Sequence, residues 1–170
     1  DQGIEISEDS TFSNTVQLSV EPVLPKGETI IGPTLLNEVA GWANSGIQIT
    51  AINDCVLTSF VFNNMGSSDT IKLLNASNNS ELQSISVTPS STAEIIDVNW
   101  QLTAGRSYKI LNAGPSNGSW VSYSNFPKSS SNLRVDSSVS STSAYSSYWF
   151  TFTHLEISSS VTSAEFSTDP

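Results

Sequence analysis

Basic residues are scarce in this sequence: six Lys and Arg stand against sixteen Asp and Glu, for a formal net charge of −10. A nucleic-acid-binding protein draws much of its affinity from neutralised phosphates, and no basic cluster is available here for that purpose. The same deficit argues against anionic membrane surfaces and against polyanions such as sulfated glycans. Charge of either sign is thin, at 13% of residues, about half the usual share. Cysteine occurs once, at Cys55, so no disulfide forms within the chain. Its neighbours include no His, Lys or Arg to favour a thiolate, so a buried inert thiol is expected. One histidine and one cysteine do not make an ordinary zinc site, and no D-x-D-x-D-G calcium loop occurs. No stretch approaches the ~18 apolar residues of a membrane helix, so membrane insertion is not expected. The chain begins at Asp1 rather than Met, and is read as a processed protein or part of a larger one.

What fills the space is serine, about one residue in five, with abundant Thr and Asn. Such a chain is short of strong helix formers and rich in residues suited to strands and turns. Its 170 residues amount to one domain, large enough to bury a core without covalent staples.

Period-two alternation recurs along the chain. Thr15–Val20, Ile47–Ala51, Val56–Phe62, Ile71–Leu74, Leu82–Val87, Ile95–Trp100, Tyr108–Leu111, Trp120–Phe126, Leu133–Val135 and Tyr148–Ile157 read as nine or ten short strands. Only Pro33–Ala43 suggests a short helical turn. The serine runs 129–131 and 137–147 read as low-complexity loops. This spacing predicts an all-β protein, an antiparallel β-sandwich of jelly-roll type. Residues 1–27 would be a linker or edge strand, 28–157 the domain, and 158–170 a Ser/Thr-rich tail.

Catalytic signatures are weak. His154 lies in the run Trp149–Ile157, where strict alternation would set Phe150, Phe152, His154 and Glu156 on one side; a half-buried histidine is expected rather than a general base. No G-x-S-x-G elbow accompanies the many serines. Glu81, Glu94, Asp97, Asp136 and Glu156 show no pairing of the kind a glycosidase needs. The chain is therefore expected not to be an enzyme and to need no cofactor. A structural calcium held by Asp69, Asp97 or Asp136 with backbone carbonyls stays open, because such a site leaves no sequence mark.

Aromatic residues carry more information. Trp120 sits in Gly118-Ser119-Trp120-Val121-Ser122-Tyr123-Ser124, and Tyr145 and Tyr148 flank Ser146-Ser147. Core aromatics usually have apolar neighbours two residues away, and these rings largely lack them. A pyranose ring stacks its C–H groups on an aromatic face and needs amide, hydroxyl or guanidinium partners for its hydroxyls. Trp120, Tyr123, Tyr145 and Tyr148 are the candidate stacking residues, with Asn117, Asn125 and Arg134 as candidate hydrogen-bonding partners. The competing reading is that these rings cap a small core.

The order Leu57-Thr58-Ser59-Phe60-Val61-Phe62, Asp69-Thr70-Ile71-Lys72-Leu73-Leu74, Val98-Asn99-Trp100-Gln101-Leu102-Thr103-Ala104-Gly105, Asn125-Phe126-Pro127 and Tyr148-Trp149-Phe150 resembles the β-sandwich carbohydrate-binding modules of tail and baseplate proteins in phages of Gram-positive bacteria, and related modules on secreted bacterial proteins. The resemblance covers about residues 28–157. It implies an extracellular or virion-surface module that attaches a larger assembly to a host-cell saccharide by a loop-lined or concave face, with Trp100 in the core. The expected ligand is a neutral saccharide. The alternative is a structural or adhesin module contacting a protein partner, which would show an exposed apolar patch.

Overall fold

The computed structural model describes residues 27–33, 44–63, 68–88, 93–114, 119–140 and 142–159. The strand expected at 15–20 and most of the helical turn expected at 33–43 lie outside these residues, as does Asn117. The described residues contain strands and no helix. Eight strands form the scaffold: β1 (Gly27–Ile30), β2 (Ser45–Ala51), β3 (Cys55–Asn63), β4 (Asp69–Asn75), β5 (Glu81–Val87), β6 (Ala93–Leu102), β7 (Ser107–Asn112) and, at the end, β13 (Phe152–Ser159). Between β7 and β13 come β8 (Trp120–Ser122), β9 (Lys128–Ser129), β10 (Leu133–Ser140), β11 (Ala144–Tyr145) and β12 (Tyr148–Phe150).

One sheet has the order β1-β13-β3-β6, and the other contains β2-β7-β4-β5. Neighbouring strands are antiparallel throughout. Successive scaffold strands cross from one sheet to the other except at the β4–β5 hairpin. The protein is thus an antiparallel β-sandwich with jelly-roll strand order. β13 extends to Ser159, two residues beyond the expected domain end.

Alternation explains the core. Ile47, Ile49 and Ala51 of β2, Ile71 and Leu73 of β4, and Tyr108 and Ile110 of β7 face Leu57, Phe60 and Phe62 of β3, Ile96 and Trp100 of β6, and Phe152, Leu155 and Ile157 of β13. Phe152 meets Phe60 edge-on at 5.1 Å and stacks on Phe62 at 5.5 Å. Trp100 is a core residue, tilted against Phe60.

The ladders shift register at several points, two of which bear on the core face. On β6, Val98 and Asn99 together oppose Thr58; on β13, His154 and Leu155 oppose Phe60. Such bulges place an extra residue in one strand and re-aim its side chains. Asn99 and His154 take left-handed φ values of 53° and 50° there. The side-by-side placement expected for Phe152 and His154 therefore fails: Phe152 and Leu155 point inward, whereas His154 is exposed rather than half-buried.

The polar interior is built from hydrogen bonds. Asn112, fully buried, accepts from the backbone and hydroxyl of Ser45 at 3.0 and 3.1 Å and donates to Asp69 at 3.4 Å. Asp69 also accepts the backbone N–H groups of Thr70 and Gly114. Burial works against ionisation of Glu28, yet hydrogen bonds from Ser130, Ser131 and Asn132 outweigh it and hold its pKa below the ordinary value. That carboxylate ties β1 to the turn before β10.

Cys55 is buried under the same turn. Burial, with added repulsion from Asp54 and Glu28, pushes its thiol up to about 11. A folded pKa above the unfolded one favours the neutral thiol in the native state. This contribution to stability is fully present below about pH 9 and is lost as pH rises through about 11. Iodoacetamide at pH 8 should modify Cys55 far more slowly in the native protein than in urea. Equal rates by mass spectrometry would show that the thiol is not protected.

Candidate functional site

All seven candidate residues, from Asn117 to Tyr148, fall within 113–151, the single connection between β7 and β13.

From β7 the connection passes through β8, a loop containing the cis Phe126–Pro127 bond, and β9. It then enters the second sheet as β10, beside β2. Ser137–Ser140, expected as loop, belong to this strand. Their small side chains allow it: the hydroxyl of buried Ser138 accepts the backbone N–H of Phe150 at 2.9 Å. A tight turn closed by Ser140 N–H on the Ser143 carbonyl, 2.7 Å, leads to β11. β12 finally pairs back onto β8 as a separate two-stranded ribbon.

Ribbon register decides which rings face where. Trp120 lies opposite Phe150, Val121 opposite Trp149, and Ser122 opposite Tyr148. Trp120, Ser122, Tyr148 and Phe150 therefore share one face, and Val121 and Trp149 the other. Trp149 is fully buried, donates its Nε1–H to the Phe152 carbonyl at 2.6 Å, stacks on Phe126 at 5.1 Å and meets Tyr123 edge-on at 5.0 Å.

On the opposite face the rings form a continuous row. Trp120 meets Tyr148 at 5.2 Å and 89°; Tyr148 lies parallel to Phe150 at 6.2 Å; Phe150 meets Tyr145 at 5.3 Å. Phe150 is the floor, only 4% exposed, while Trp120, Tyr145 and Tyr148 are half-buried. Exposed Ser122, Ser146 and Ser147 border them in sequence. No charged residue lies on β8, β11 or β12.

Both ends of the ribbon are fixed. At one end Tyr123 N–H bonds the Ser147 carbonyl at 2.9 Å. At the other, Thr151 N–H bonds the Ser119 carbonyl at 2.8 Å, and the Thr151 carbonyl accepts from the backbone and side-chain amides of Asn63 at 2.9 and 3.0 Å. Thr151 has a left-handed φ of 54°, and its buried hydroxyl has no hydrogen-bond partner among the described residues.

The structure thus brings Trp120, Tyr145 and Tyr148 into one row and adds Phe150. The signal for Phe150 was its spacing of two from Tyr148. Tyr123 packs on the core side of the ribbon with Phe126 and Trp149. Asn125 is exposed in the following loop. Arg134 stands at the far end of β10 from the β11 pairing, its Nε on Asp136 at 2.5 Å, while Thr50 donates to the same carboxylate at 2.6 Å.

Among the described residues no three His, Cys, Asp or Glu side chains converge as metal ligands. Asp69 and Asp136 direct oxygens at N–H or hydroxyl donors, and Asp97 is exposed on a separate strand. His154 borders an open groove of about 410 Å³ on the outside of the first sheet, with Pro33, Val61, Ala93, Ile95 and Glu156. No helix among the described residues is long and apolar enough to cross a membrane. Compared with known proteins, the sequence matches no family model and no curated protein.

Proposed function

We propose that this protein is a non-catalytic carbohydrate-binding module that attaches a larger extracellular or virion-surface assembly to a neutral saccharide. The observation that carries this reading is the row Trp120–Tyr148–Phe150–Tyr145 on a ribbon set aside from both scaffold sheets. An apolar row of rings with serines beside it in sequence, on strands that carry no charged residue, suits sugar C–H faces and hydroxyls. Trp120 and Tyr148 are the stacking residues, with Tyr145 extending the strip. Asn117 and Asn125 are the amides that the sequence offers as hydrogen-bonding partners.

A glycan array that includes bacterial cell-wall polysaccharides, followed by calorimetry on the best ligand, tests this. Trp120→Ala and Tyr148→Ala should each weaken binding by roughly 2- to 12-fold, corresponding to about 0.5–1.5 kcal/mol per ring. Arg134→Ala should leave affinity unchanged. Unaltered binding in both aromatic variants would refute the site. A module contacting a protein partner is the second reading, favoured by the apolar side of the His154 groove, where Ile95 is 67% exposed. It gains if no glycan binds.

A further inference from the structure

At the other end of the second sheet from β11, the turn after β4 and the turn before β7 enclose a pocket of about 350 Å³, lined by Asn75, Ser77, Leu82, Arg106, Ser107 and Tyr108. We propose that this pocket is a second binding site, one that takes the carboxylate of an acidic sugar residue.

Charge is the first argument. The chain has a net charge of −10, yet among the described residues no Asp or Glu lines this pocket and Arg106 does. The nearby cations are already engaged: Lys72 pairs with Glu81 at 2.8 Å, and Lys109 donates to Asn79 at 2.8 Å. Arg106 has no side-chain partner among the described residues. An arginine left unpaired in a chain with a large excess of acid is free to take an external anion in the bidentate geometry its planar fork prefers.

Rigidity is the second argument. Arg106 N–H bonds the Thr103 carbonyl at 3.1 Å and its carbonyl accepts from Ala51 at 3.0 Å, which pins the residue at its Cα. Gly105 makes the turn with φ 74°. Across the pocket, Asn75 N–H bonds the Ser80 carbonyl at 2.9 Å, and Ala76 N–H ties this turn to Ser107 at 3.1 Å. The Tyr108 hydroxyl accepts the Thr103 N–H at 2.8 Å. These bonds hold the pocket's backbone in place without a ligand, so the ordering cost of binding falls mainly on the exposed Arg106 side chain.

The third argument is the polar complement. Asn75 Oδ1 is filled by the amide and hydroxyl of Ser77 at 2.9 and 2.8 Å, which leaves the Asn75 amide hydrogens as donors. Thr50 gives its hydroxyl proton to Asp136, so Ser107 donates to Thr50 at 2.7 Å and keeps acceptor capacity. A guanidinium, amide donors and hydroxyl acceptors around a small volume match one carboxylate with adjacent hydroxyls. The volume is at the low end for ligand sites, the size of one sugar residue and not of a chain.

The test is NMR titration of the full chain, at constant ionic strength, with glucuronate, glucose and acetate. Glucuronate should shift amides in 75–80 and 104–108 with millimolar affinity; glucose and acetate should shift them far less. Arg106→Ala should weaken glucuronate binding at least tenfold with thermal stability retained, and Arg106→Lys should weaken it less. The proposal is overturned if glucuronate leaves those amides unmoved, if glucose or acetate matches it, or if Arg106→Ala binds normally.

Discussion

Trp149→Ala should destabilise the domain by about 3–5 kcal/mol, the range for deleting a large buried aromatic. The ring is fully buried and sandwiched by Phe126 and Tyr123, and its removal also leaves the Phe152 carbonyl without its 2.6 Å donor. Domains of this kind have only about 5–15 kcal/mol in total, so much of the margin disappears. For a chain of this length the shift in Tm should be roughly 6–20 °C. Trp149→Phe keeps a ring against Phe126 and loses the N–H, so its cost should be clearly smaller. Urea denaturation followed by far-UV circular dichroism measures both. A loss below about 1 kcal/mol for the alanine variant would mean that the ribbon is not anchored through this ring.

Gly46→Ala should be comparably damaging, for a different reason. Gly46 lies in β2, between β7 and β10. A Cβ there would fall on the carbonyl oxygen of Ile110, 2.9 Å from its carbonyl carbon and 3.0 Å from Phe152 Cε2. The obstacle is backbone of the neighbouring strand, which cannot rotate away as a side chain can. The cost should reach about 3 kcal/mol or more, the upper end for overpacking. Gly105→Ala is the internal comparison: nothing stands within 4 Å of its Cβ position, so only the left-handed φ is penalised, at about 1–2 kcal/mol. Similar losses for the two variants would contradict the steric account.

The fold was legible because its core strands alternate cleanly. Ile47, Ile49 and Ala51, or Ile71 and Leu73, mark one face of a strand with no help from neighbours. β10 was only half legible. Leu133 and Val135 announce a strand, but Ser137–Ser140 carry the composition of a loop and are held in the sheet by β2 and by the Ser138 hydroxyl. The bulges at Asn99 and His154 were not legible, because neither position has the glycine that usually marks a left-handed φ. They arise from register between strands distant in sequence, which no local pattern encodes. The candidate aromatics share one connection, and three of them meet in one row. The division of labour within it was not readable, because only the pairing of β8 with β12 sends Tyr123 and Tyr148 to opposite sides.

That pairing makes the ribbon unusually intolerant of a change in length. Surface connections ordinarily absorb a lost or gained residue with little effect. Here a one-residue slip of β12 along β8 would exchange its two faces, turning Trp149 outward and Tyr148 inward. Tyr123 on Ser147 at one end and Thr151 on Ser119 at the other hold the frame. Single deletions between Ser146 and Thr151 are therefore inversions of the surface rather than trims. Variation in the ribbon is therefore confined to substitution: side chains on a strip of fixed length can be exchanged, but the strip itself cannot be shortened.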